Sequence, residues 1–124
     1  MSSAARSVYV FGIYLLVLGG FAMGAPNTLL AVLGLEPTTE PWIRILGVVV
    51  MAVGMLDVAC ARSEQVGFFR ATVSTRIFAL VAFVAFVALG IAPQILILFG
   101  LVDGMGALWT FMALRARSAE QVTA

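Results

Sequence analysis

The chain has 124 residues, 63% hydrophobic and 10% charged, with a mean hydropathy of +1.14. A soluble domain of this size is roughly half apolar and about a quarter charged, so the composition points to a membrane protein and allows one domain, residues 1–124. The net charge of +1 offers nothing to nucleic acid, and with no His and one Cys, a metal, haem or iron–sulfur centre lacks its usual ligands.

A helix that spans a bilayer needs about 20 mostly apolar residues. The first such stretch, "VYVFGIYLLVLGGFAMGA", runs over 8–25. Its apolar run exceeds the roughly 7–15 residues of a signal peptide's core, and further spans follow, so it reads as a retained helix. The segment "PNTLLAVLGL" after it is too short to cross. Asn27 or Thr28 offers an N-cap before Leu29, Leu30, Val32 and Leu33, which predicts a short helix at the outer interface or folded against the mouth of the bundle.

The second span is predicted over 42–61, opening at Trp42 as an interfacial anchor, with Arg44 at the outer interface beside Glu40. The linker "RSEQVGFFR" separates it from a third span over 71–91. Ala92 and Pro93 make a tight turn into a fourth span over 94–114. Pro93 suits a helix start, because the N–H it lacks would be unsatisfied there. Cys60 reads as a small apolar filler; alone, it permits neither an internal disulfide nor a redox pair.

All seven basic residues are Arg. Arg6, Arg62, Arg70, Arg115 and Arg117 flank the chain start, the middle loop and the end of the fourth span. The first long loop instead carries Glu36 and Glu40. The positive-inside rule therefore predicts a multi-pass protein of the cytoplasmic (inner) membrane with both termini cytoplasmic. The expected fold is all-α, a membrane-embedded four-helix bundle with one short interfacial helix.

Helical periodicity sorts the spans into faces. Gly47, Gly54 and Ala61 form a stripe in the second span with Asp57 at its edge. Gly100, Gly104 and Ala107 do the same in the fourth with Asp103 at its edge, while Val102, Met105 and Trp109 lie opposite, toward lipid. Small residues four apart let membrane helices approach closely, so these stripes are expected to meet other helices. In the third span Arg76 shares a face with Thr72, Leu80, Phe83, Val87 and Gly90. In the first, Tyr14 shares one with Val10, Leu18 and Phe21. The repeated G-x-x-D at 54–57 and 100–103 hints at two related helix pairs.

A charge near the bilayer centre costs at least about 2.5–3.5 kcal/mol on insertion scales. Asp57, Arg76 and Asp103 are thus the residues whose presence asks for a reason. Arg76 is long enough to reach either acid but cannot neutralise both. Such a cluster is either a structural clamp between helices or a ligand or proton site lined by Asp103, Asp57, Arg76 and Tyr14.

The stretches "GAPNTLLAVLGL", "RILGVVVMAVGM" and "LFGLVDGMGALW", in that order, resemble the DoxX-like and BphX-like families of small bacterial four-helix integral membrane proteins. The resemblance is one of layout across most of the chain. It implies a cytoplasmic-membrane bundle, in some members linked to quinone metabolism, and it carries over no catalytic residue. Residues and resemblance together favour a protein that binds a hydrophobic ligand, quinone or lipid, or acts as accessory subunit in a larger membrane complex or homo-oligomer. A purely structural membrane partner is the nearest alternative. A proton-coupled small transporter and a membrane isomerase fit less well, because the first span has no acid and the two Asp differ in depth by about a turn.

Overall fold

A computed structural model describes residues 1–123 and the side chains of 1–122. Among the described residues the fold is all-α: α1 (Ser3–Gly24), α2 (Pro26–Val32), α3 (Trp42–Arg62), α4 (Val66–Ala88) and α5 (Ile95–Thr123). The four long helices are each long and apolar enough to cross a membrane. At about 1.5 Å per residue, the 22 residues of α1 and 21 of α3 give roughly 32 Å, close to the ~30 Å hydrocarbon thickness.

Three helices differ from their expected limits: α1 starts at Ser3 rather than 8, and the third and fourth spans differ for separate reasons. The third span begins at Val66 rather than 71, because Val66, Phe68 and Phe69 extend its apolar run past Arg70. It ends at Ala88, because Gly90 adopts φ 75° and closes the helix. The fourth continues to Thr123, well beyond the apolar limit near Leu114. Hydropathy marks only the apolar run; "RARSAEQV" contains good helix formers and carries the helix on past it.

The chain forms two compact units. One, Tyr9–Ala59, holds most of α1, α2 and most of α3. Here α1 and α3 meet backbone to backbone. A methyl built on Gly19 would lie 2.7 Å from the Gly47 carbonyl oxygen, and one on Gly54 would lie 2.8 Å from that of Gly12. The notches Gly12 and Gly19 on α1, and Gly47 and Gly54 on α3, are each seven residues apart. They pair in one antiparallel register, Gly12 with Gly54 and Gly19 with Gly47. Any side chain at these four positions would hold the helices apart.

The same unit seats α2. Leu30 is buried with Ala22 and Ile43, and Leu29 and Leu35 pack against them. No side chain caps α2: its N-cap is Ala25 and Pro26 sits at the first helical position. Asn27, expected as a cap, instead accepts a bond from the Thr38 amide at 2.9 Å and pins the loop that follows. Arg44 donates to the Met23 carbonyl at 2.6 Å. That places a cation on one of the open carbonyls at the C-terminal, negative end of α1.

The other unit comprises residues 1–8 and the chain from Cys60 onward. Its frame is the antiparallel pair α4 and α5. Leu80 of α4 fills the shallow groove over Gly100 and Gly104, its methyl groups 3.2 and 2.9 Å from where their Cβ atoms would be. This is side chain into notch, looser than the backbone contact of α1 with α3. Exposed apolar residues such as Phe78, Val81, Met105 and Met112 cover the outside of this pair.

Three helices end in the same turn, in which the second residue past the cap bonds back five positions. Gly34 and Gly90 supply the left-handed residue for α2 and α4, with φ 73° and 75°. At the end of α3 the left-handed residue is Glu64, φ 53°, with Gln65 N–H on the Cys60 carbonyl and Glu64 N–H on that of Ala61. Glycine dominates this position because it has no Cβ to clash.

Candidate functional site: a buried polar clamp and a cationic groove

The unit built on α4 and α5 contains a chain of hydroxyl groups inside otherwise apolar packing. Ser7 Oγ and Thr110 Oγ1 lie 2.7 Å apart, and Arg76 donates from Nη1 to Thr110 Oγ1 at 3.3 Å. Ser7 also reaches the Ala4 carbonyl at 2.6 Å, and Thr110 the Gly106 carbonyl at 3.0 Å. Each hydroxyl has one proton. If Ser7 donates to Thr110 it gives up the Ala4 bond, and if Thr110 donates to Ser7 it gives up the Gly106 bond. Thr110, fully buried, thus ties the first turns of α1 to α4 and α5.

Of the candidates named from sequence, Arg76 is 4% exposed and sits on the packed face of α4 with Phe69, Thr72 and Val73. Asp103 is half-buried on α5, in the same unit, and within electrostatic range of Arg76. Asp57 belongs to the other unit. It is 1% exposed, and its Cβ lies 2.8 Å from where a Gly12 Cβ would be, so Gly12 makes the room in which this acid packs. Tyr14 is half-buried, its ring centroid 5.5 Å from that of Phe11 and tilted by 47°. Val10 and Phe21, which share its face, are exposed.

A second polar cluster closes the end of the α4–α5 unit. Ser2 caps α1: its hydroxyl accepts from the Ala5 amide at 3.1 Å, and its carbonyl accepts the first helical bond, from Arg6. The Ser2 amide and hydroxyl then donate to the two carboxylate oxygens of Glu64, each at 2.7 Å. In a local capping box, the acid three residues into the helix would bind the cap's own amide. Position 5 is Ala, and Glu64, 62 residues away, takes that part. Arg117 approaches Glu64 at 3.8 Å. The amide and hydroxyl of Ser2 hold the Glu64 carboxyl below the ordinary value of 4.5.

Beside this cluster lies a groove of about 460 Å³ between α4 and α5. It is lined by Arg70, Val73 and Ser74 on one side and Phe111, Leu114, Arg115 and Ser118 on the other. The Arg115 guanidinium is 5.8 Å from the Phe111 ring centre, within cation–π range. Sequence reasoning read Arg70 and Arg115 as part of a cytoplasmic arginine cluster that sets topology and touches anionic lipid, and missed Ser7, Thr110 and the groove. The periodicity of the Gly100, Gly104, Ala107 stripe does continue onto Thr110, which was the available signal.

No family model, curated protein or solved structure matches this chain.

Proposed function

We propose that the chain is a small multi-pass protein of the cytoplasmic membrane that holds a hydrophobic ligand of the bilayer, a lipid or a quinone, as a binding or accessory subunit. The observation that carries this reading is the α4–α5 groove, lined by the apolar Val73, Phe111 and Leu114 together with Arg70, Arg115 and two serines. Ligand sites combine apolar walls with a few placed polar groups in this way. In this reading Arg76, Thr110 and Ser7 are the clamp that keeps the groove's two walls in place, one turn farther along each helix. The layout shared with DoxX-like proteins supports the same class.

The test is extraction of the chain in native nanodiscs, followed by mass spectrometry of what co-purifies. A defined lipid or quinone retained in fixed ratio supports the proposal; recovery of bulk lipid composition alone sinks it. The clamp itself favours a second reading, a structural partner in a larger assembly or homo-oligomer. Its polar groups spend their bonds on one another and join three helical segments. That reading predicts co-purifying protein, or a second copy, in place of a retained small molecule.

A further inference from the structure

We infer that the α4–α5 groove is a headgroup site for an anionic phospholipid, with Arg70 and Arg115 on the phosphate and Ser74 and Ser118 bonding its remaining oxygens. The inference rests on the ligand-holding proposal and names the ligand class. The two guanidiniums come from different helices yet line one groove. Ser74 follows Arg70 by four residues and Ser118 follows Arg115 by three, so each wall presents a cation with a hydroxyl on the same face. Among the described residues, neither Arg70 nor Arg115 pairs with a carboxylate, whereas nearby Arg117 faces Glu64. Two cations lining one groove favour an anionic ligand, which a neutral quinone ring is not.

The apolar lining identifies the anion's source. Val73, Phe111 and Leu114 line the same groove as the two cations. One turn away, on the same helix sides, Ile77, Phe78 and Leu108 are exposed and offer an apolar track for acyl chains. A soluble phosphate would leave that track uncovered; a phospholipid covers it while its phosphate meets the arginines. Basic pockets between membrane helices at the cytoplasmic surface bind anionic headgroups on this physical basis.

The experiment uses the full chain in nanodiscs of mixed phosphatidylcholine and phosphatidylglycerol, with native mass spectrometry counting the lipids retained. Wild type is expected to retain phosphatidylglycerol over phosphatidylcholine by about tenfold or more, two arginines each contributing to anionic attraction. Arg70→Gln with Arg115→Gln should abolish that preference. Arg6→Gln with Arg62→Gln removes the same charge outside the groove and should preserve it. Ser74→Asp, which puts a carboxylate in the groove and leaves both arginines, should also abolish it, while an unchanged helical circular dichroism signal shows that the fold persists. Equal loss in both double variants means diffuse surface attraction and overturns the site. Specific retention of quinone or phosphatidylcholine, indifferent to Arg70 and Arg115, overturns the headgroup assignment and leaves the broader ligand proposal standing. Retention of nothing overturns both.

Discussion

Glu64 occupies a left-handed backbone position where α2 and α4 both use glycine, and the difference has a visible return: only a carboxylate there accepts the two Ser2 bonds. Because its folded pKa lies below the unfolded value, the stability it contributes is complete above about pH 4.5 and is lost as pH falls through the folded value. Protection against hydrogen exchange at residues 2–6, relative to the intrinsic rate at each pH, is therefore expected to fall in acid, and Glu64→Gln should show that low protection already at pH 7. Unchanged exchange in the variant would mean that the Ser2 bonds do not hold the first turn. Thr110 is the other residue with a large individual part. Thr110→Val keeps the shape, removes the bonds to Ser7 and Arg76, and should cost about 1–2 kcal/mol in detergent unfolding, at the upper end for interhelical bonds in membranes. Ser7→Ala should cost less, because Thr110 keeps its bonds to Arg76 and Gly106.

Between elements, the glycines divide into two kinds. At Gly19 a new Cβ meets the Gly47 carbonyl and the Met51 amide, both rigid backbone atoms, at 2.7 and 2.8 Å. At Gly20, next along α1, it meets nothing within 4 Å. Gly19→Ala should lower thermal stability, by about 1–3 kcal/mol as overpacking does. Gly20→Ala should be neutral or stabilising, since alanine gains up to about 1 kcal/mol of helix propensity. Equal melting temperatures for the two would refute the close crossing. Gly104→Ala should cost less than Gly19→Ala, because the atom it meets is the mobile end of Leu80. Much of this was legible in the sequence. Helix count, helix class and the Gly47 and Gly54 stripe follow from hydropathy and a 3.6-residue period. Gly12 and Gly19 were not seen, because a spacing of seven among many small residues stands out only once a partner with the same spacing faces it. The capping of α1 by Glu64 was not legible at all: a bond between residues 62 apart leaves no local signature, whereas a glutamate three residues into the helix would have.

At the scale of the molecule, the chain's orientation reduces to a choice of two. Ser2 bonds Glu64 and Glu64 meets Arg117, so the start of α1, the α3–α4 turn and the end of α5 lie at one end of their unit. With α4 and α5 as antiparallel spans, these three are expected on one side of the membrane. Five of the seven arginines, Arg6, Arg62, Arg70, Arg115 and Arg117, lie in or near the helix ends that meet there, and the positive-inside rule predicts that this end faces the cytoplasm. Geometry and charge make separable predictions. Geometry requires that a cysteine replacing Gln65, with Cys60 changed to Ala, and reporters fused at either end of the chain all score on the same side. Charge requires that this side be the cytoplasm, so that a C-terminal fluorescent fusion is bright, a C-terminal phosphatase fusion is inactive, and the cysteine at 65 reacts with a membrane-impermeant reagent only after lysis. If all three positions report the outer side, the Ser2–Glu64–Arg117 cluster stands and the charge rule is what fails. If the turn and the ends report opposite sides, that cluster does not form in the membrane, and the groove beside it loses the frame that brings Arg70 and Arg115 together.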